Sequence, residues 1–182
     1  MLDPKFIIYT GPMFGGKTTR MLSQLERAKY QRKSIILFKP KRDDRYSSDR
    51  VHTHSCASWP AVEIEKGSDI FSMIDECEVI AVDEAFMIDG IADALIRAFK
   101  LGKSIYVSSI QLSSSLEPFD EIMRMMPWAT QVEVCPAVCT KSGNDAYYTI
   151  AKREKKEQIE VGGEETYEPR SWKHALSSKE SI

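Results

Sequence analysis

The segment Gly11-Pro12-Met13-Phe14-Gly15-Gly16-Lys17-Thr18 constrains this chain more than any other stretch. Its spacing is G-x-x-x-x-G-K-[ST], in which glycines let the backbone wrap a phosphate chain with its amides turned inward. The lysine reaches the outer phosphates, and the threonine hydroxyl can ligate magnesium. The pattern has physical force only between a strand and a helix, and the flanks supply both. Phe6-Ile7-Ile8-Tyr9-Thr10 is a short apolar run ended by Gly11-Pro12, as in a buried strand. After the glycines, Met21, Leu22, Leu25 and Ala28 fall on one helical face. The positive end of that helix's dipole would face the same phosphates. These flanks disfavour the plain alternative, a glycine-rich turn with a surface lysine.

Strand and helix continue to alternate. Ser34-Ile35-Ile36-Leu37-Phe38 reads as a second strand, stopped before Pro40. Val79-Ile80-Ala81-Val82 is unbroken and apolar, as expected of a parallel strand covered on both faces. Ser104 to Ile110 is a further strand, and Gln131-Val132-Glu133-Val134 has strand alternation. Ile70, Phe71 and Ile74 mark a short helix. Ile88, Ile91, Ala92, Leu95, Ile96 and Phe99 give the clearest helical stripe, closed by Gly102, and Phe119 to Met126 is also helical. Residues 39 to 60 are polar, with Lys39, Lys41, Arg42, Arg45 and Arg50 among them, and read as a long functional loop. The alternation predicts an α/β domain over 1–134 with a mainly parallel sheet and helices on both faces. Beyond it, Cys135-Pro136, Ser142-Gly143-Asn144-Asp145, the charge run Lys152 to Glu157 and Gly162-Gly163 predict a small lobe of hairpins and loops over 135–182. Its polar end, from about Ser171, is expected to fray.

Composition narrows the function classes. The chain has 182 residues, 42% hydrophobic and 29% charged, which is the balance of a globular domain. Lys plus Arg number 25 against 27 for Asp plus Glu, a formal net charge of -2 that argues against a dedicated nucleic-acid binder. No apolar run approaches the roughly 18 residues of a membrane span. Met1-Leu2-Asp3-Pro4-Lys5 carries no secretory pattern, so no membrane partner and a cytoplasmic location are expected. Cys56, Cys77, Cys135 and Cys139 then read as free thiols or metal ligands rather than disulfides.

Asp83-Glu84 directly follows the apolar run Val79–Val82, and parallel sheets place their ligands at that end of a strand. Asp83 would hold magnesium beside Thr18, while Glu84 could accept a proton or orient a nucleophile. An acidic pair after a strand is weak alone, and the phosphate loop raises its weight. Together they make a site for nucleotide-driven phosphoryl transfer without naming the acceptor.

Further motifs narrow the acceptor. Asp43-Asp44-Arg45-Tyr46-Ser47-Ser48, Thr53-His54, Pro118-Phe119, Ala137-Val138-Cys139 and Val161-Gly162-Gly163 through Tyr167 stand with the two motifs above, over about residues 6 to 174. In that order and spacing the chain resembles the type II thymidine kinases. The resemblance implies a P-loop, RecA-like fold with a lasso lobe, and ATP-dependent phosphorylation of the 5′-hydroxyl of thymidine, with deoxyuridine a further acceptor. It gives Glu84 the role of base, with Arg45 and Lys17 at the transferring phosphate. Gly11, Pro12, Met13, Phe14, Gly15, Gly16, Lys17, Thr18, Asp43, Arg45 and Asp83 would form the ATP site. Met13, Ile110, Phe119 and Thr149 would surround the thymine ring, and beside the resemblance Phe86 is expected to supply aromatic surface there in place of that lost at Ser114. Gln158, Ile159, Glu160, Val161 and Gly162 match the lasso that binds the base through its backbone, and Tyr167 closes over the nucleoside. A homotetramer and feedback by thymidine triphosphate are also implied.

The chain departs from that family's pattern in two places. The family's zinc positions fall at Cys139, Ser142, Ser171 and His174, where two thiolates are missing, so zinc is not expected. Packing by Trp172, Tyr147 or Tyr148 would have to replace the metal's contribution. Near the substrate, Gln111-Leu112 replaces an Asp-Gly pair, Ser114 an aromatic residue, and Ala85-Phe86-Met87 follows the acidic pair. These changes leave thymidine against deoxyuridine open. Three other readings stand beside the kinase: another P-loop small-molecule kinase, a helicase-like ATPase and a regulator without turnover.

Overall fold

Both faces of β1 (Phe6–Thr10) are buried, and its alternate residues divide between two apolar clusters. Phe6 and Ile8 enter one, Ile7 and Tyr9 the other. Helix α1 (Lys17–Tyr30) covers the second cluster with Met21, Leu22 and Leu25. Each of these buried side chains contributes about 2 kcal/mol. The chain continues through β2 (Ile35–Pro40), a hairpin of β3 (Arg50–His52) and β4 (Ser58–Pro60), and β5 (Val62–Ile64). Next come β6 (Val79–Asp83), α2 (Ile91–Lys100), β7 (Ser104–Ser108), α3 (Asp120–Met125) and β8 (Gln131–Val134). Helices α2 and α3 seal the first cluster, on the face opposite α1. The computed structural model describes residues 3–43, 49–52, 58–153 and 161–177.

The main sheet is six-stranded and wholly parallel, in the order β5-β2-β6-β7-β1-β8. Strand β7 therefore lies between β1, which leads into the phosphate loop, and β6, which ends at Asp83. Ser108 of β7 aligns with Tyr9 on one side and Asp83 on the other, so three strand ends finish at one level. A second lobe follows. Strand β9 (Ala137–Val138) pairs antiparallel with β10 (Asp145–Ala146), and β11 (Tyr148–Ala151) with β12 (Tyr167–Arg170). Helix α4 (Trp172–Leu176) comes last among the described elements. No helix among the described residues is long and apolar enough to cross a membrane.

The α/β class holds, with several local corrections. The stretch 39–60 is not all loop, since it holds the β3–β4 hairpin. Strand β2 does not stop before Pro40, because β5 pairs with it there and Pro40 aligns with Ile64. The expected helix at Ile70–Ile74 is a 3-10 turn over Gly67–Ser72. Ile88 lies outside α2, after a 3-10 turn over Ala85–Met87, and β7 ends at Ser108 rather than Ile110. Of the end expected to fray, Trp172–Leu176 form α4, with Ala175 buried and the Trp172 ring 5.2 Å from that of Tyr148, and residues 178–182 lie outside the described residues.

Candidate active site

The phosphate loop owes its shape to a long-range backbone contact. The chain leaving β8 donates from Cys135 N to Thr10 O at 2.7 Å, which brings the Cys135 carbonyl beneath the loop. A Cβ built on Gly11 or on Gly15 would lie 2.3 Å from that carbonyl oxygen. Gly11 also has φ 132°, which other residues rarely adopt. Two of the loop glycines are thus demanded by the protein itself, apart from any ligand. Phe14, with φ 66°, packs against Ala137, Cys139 and Ala146 of the second lobe. Met13 N donates to Thr149 Oγ1 of β11 at 2.9 Å. The loop is therefore tied to both lobes.

At the start of α1, Lys17 Nζ donates to Pro12 O at 2.6 Å, inside the loop. Thr18 Oγ1 donates to Asp83 Oδ1 at 2.9 Å and lies 3.3 Å from Ser108 Oγ. The start of α1 and the ends of β6 and β7 thus meet in one polar cluster. Burial first, and the adjoining Glu84 carboxylate second, push the Asp83 carboxyl up to about 7. Hydrogen bonds from Ser108 and Thr18, and the Lys17 charge, work against that rise. Glu84 sits at φ 50° where β6 turns into the 3-10 segment. That left-handed conformation is costly for a glutamate, and such strain concentrates at functional sites.

Lys17, Thr18, Asp83 and Glu84 line one cavity of about 420 Å³, together with Met13, Phe14 and Gly16 of the loop. Asp43 stands on its wall, as do Arg50 and His52 of β3 and Gly163 to Glu165 of the second lobe. Lys39 also lines it, buried, with Nζ 3.5 Å from Glu63. The paired oxygens of Thr18 and Asp83 are hard donors of the kind magnesium takes. Arg45, Gln158, Ile159 and Glu160 lie outside the described residues, as do Asp44, Tyr46 to Ser48, Thr53, His54 and Cys56.

Of the described residues expected at the base, only Met13 lines this cavity, while Phe86, Ile110 and Phe119 lie in the buried apolar cluster. Phe86 and Phe119 pack with ring centroids 4.6 Å apart, and Ile110 belongs to the same cluster. Met13 and Val161 pack against it, so Met13 faces both the cluster and the cavity. Phe86 N is fixed by Ser109 Oγ at 3.1 Å, and Gln111 Oε1 accepts from Thr10 Oγ1 at 2.8 Å. Tyr167 is buried at the start of β12, its N–H donating to Gly163 O at 3.0 Å. A Cβ on Gly162 would lie 2.7 Å from Thr166 Oγ1, so this turn also needs glycine. From the sequence, Lys39 and Arg50 are only cations of a long functional loop, and Ser108 and His52 carry no expected role. Only Ser108 had a usable signal, a small polar residue ending an apolar parallel strand.

The positions of the family's zinc site do converge. Cys139 Sγ lies 4.0 Å from His174 Nδ1, which is 3.1 Å from Ser171 Oγ. One sulfur, one imidazole and two alcohols do not fit zinc, which takes thiolate, imidazole or carboxylate at all four positions. Among the described residues no group of three or more His, Cys, Asp or Glu could hold a metal. Instead, burial opposes the Cys139 thiolate, but hydrogen bonds from Ser142, Ser171 and the Lys141 backbone outweigh it and bring its pKa down to about 5. An unfolded thiol ionises far higher, so this group adds stability above the unfolded value and loses it as pH falls toward 5. The melting temperature of the protein is expected to exceed that of Cys139→Ala by a margin that grows from pH 5 to pH 9. A margin constant with pH would refute the thiolate.

A family model described as Thymidine kinase matches residues 5–175. A Bacteroides thetaiotaomicron protein named Thymidine kinase is 28% identical over 163 residues, which cover 89% of this chain and 82% of that protein.

Proposed function

The chain belongs to the thymidine kinase family, and we propose that its 420 Å³ cavity aligns the end of ATP with the 5′-hydroxyl of thymidine while Glu84 takes the hydroxyl proton. It is an enzyme that phosphorylates thymidine, with ATP as the donor the family implies. One observation carries the assignment of roles. Glu84 lines the same cavity as Lys17, Thr18 and Asp83, so a base stands beside the phosphate cradle. In this reading the loop amides and Lys17 bind and orient the phosphates. Arg45 would add its guanidinium to the transferring group, where fixed positive charge stabilises the spreading negative charge of the transition state. Magnesium, held by Thr18 and Asp83, would neutralise phosphate charge when bound.

The pyrimidine would lie against Met13, with Phe86, Ile110 and Phe119 as the apolar support, the 158–162 lasso binding the base through its backbone and Tyr167 closing over the nucleoside. Thr149 supports Met13 through its backbone hydrogen bond. Replacing it by valine leaves a buried N–H unpaired, a loss of about 1–3 kcal/mol. Thr149→Val is expected to raise KM for the nucleoside, with Thr149→Ser restoring it. An unchanged KM in the valine variant would remove Thr149 from the site. Division into a nucleotide-binding domain over 1–134 and a substrate lobe over 135–182, assembly as a homotetramer and a cytoplasmic location belong to the same proposal. Sedimentation of the purified chain tests the assembly.

The direct test is incubation with magnesium, ATP and a panel of nucleosides including thymidine and deoxyuridine. Thymidine monophosphate is the expected product. No nucleoside monophosphate above background would refute the proposal.

A further inference from the structure

A second cavity, of about 460 Å³, lies at the end of the sheet away from the phosphate loop. Its walls are the C-terminal half of α1 and the starts of β1, β7 and β8. Tyr106 of β7 lines it while only 7% exposed, and among the described residues its hydroxyl makes no hydrogen bond. Burial raises the Tyr106 pKa, so the hydroxyl keeps its proton and remains a donor.

Lys5, Arg27 and Lys33 line the same cavity, and none forms an ion pair with a described residue. Asp3 is the single carboxylate on the walls, which leaves them net positive. Cations often gather at a helix C-terminus to compensate its carbonyls. Here the backbone already performs that task. Gln31 N donates to Arg27 O at 3.1 Å, Arg32 N to Lys29 O at 2.9 Å, and Lys33 N to Ala28 O at 3.2 Å. Arg32 takes φ 58° to close the turn. Among the described residues the three side-chain charges therefore have no ion-pair partner, and they line the same cavity as the Tyr106 hydroxyl.

We propose that this cavity binds a phosphate-bearing anion, with Lys5, Arg27 and Lys33 supplying the charge and the Tyr106 hydroxyl donating from the floor. Such sets of converging cations and neutral donors suit phosphate oxygens. The volume falls within the range of ordinary ligand sites. The site is separate from the phosphate loop, and the proposal stands independently of the kinase assignment.

Calorimetry of the full chain at low salt with pyrophosphate tests it. Lys17→Ala weakens the phosphate loop, so binding that persists in this background reports the second cavity. Adding R27Q and K33Q is expected to abolish that binding. Adding Tyr106→Phe should weaken it about tenfold, the loss of one hydrogen bond to a charged group. Arg27 and Lys33 are not buried, and an unchanged melting temperature verifies that their variants fold. Adenosine monophosphate forms a second arm. Tighter binding of the nucleotide assigns a nucleotide occupant, and tighter binding of pyrophosphate a free polyphosphate. Pyrophosphate and nucleotide binding that R27Q, K33Q and Tyr106→Phe all leave unchanged would overturn the proposal.

Discussion

Glu84→Gln is expected to lower kcat by about 10²- to 10⁴-fold while leaving KM for ATP and thymidine within a few-fold. The amide keeps the shape of the carboxylate but loses its charge and with it the capacity to take a proton. Glu84 is held at φ 50° where β6 ends, and the turn after it is buried through Ala85, Phe86 and Met87. The variant should therefore melt near the parent temperature. That combination, a kcat loss with binding and folding preserved, separates a base from a residue that merely shapes the cavity. An equal fall in affinity and turnover, or no fall at all, would take the proton-accepting role away from Glu84.

Gly15→Ala is expected to damage both stability and activity, although it adds one methyl group. The added Cβ would meet the Cys135 carbonyl oxygen at 2.3 Å, and both partners are backbone. Overpacking of this sort costs about 1–3 kcal/mol. Relief requires the phosphate loop to move relative to β8, and a shift of about 1 Å in a reacting group can cost roughly 10²-fold in rate. Gly102→Ala is the control. Gly102 has φ 87° but open space where its Cβ would go, so that variant should lose only about 1–2 kcal/mol of stability and keep its kinetics. Equal behaviour of the two variants in thermal melts and in kcat/KM would show that the carbonyl contact does not shape the loop.

Much of this architecture is legible in the sequence, for identifiable reasons. Strands β1 and β6 announce themselves because a strand covered on both faces must be apolar at every position, and Phe6–Tyr9 and Val79–Val82 are. Helix α1 follows from its single apolar stripe, and the spacing of Gly11 to Thr18 fixes what stands between strand and helix. The acidic pair is readable because its position at a strand end has a chemical meaning. Strand β5 is not readable. Val62-Glu63-Ile64 is too short to show a period, and it exists through pairing with β2. Helix α4 looks like a polar tail because Ala175 is its one buried residue, and its Trp172 finds Tyr148 only after folding. The role of Cys135 is the least accessible of all, since it acts through a carbonyl group and reaches Gly11 and Gly15 from over a hundred residues away. No side-chain pattern encodes such a contact.

The position of β7 between β1 and β6 sets a distance. Neighbouring strands stand about 4.8 Å apart, so the roots of the lysine-bearing loop and of the acidic pair are held roughly 10 Å from each other. The intervening strand works as a spacer between the two strand ends, and the short side chain of its Ser108 sits beside both Thr18 and Asp83. A bulkier residue at that one position would press directly on Thr18 and Asp83 and crowd the floor between the two strand ends.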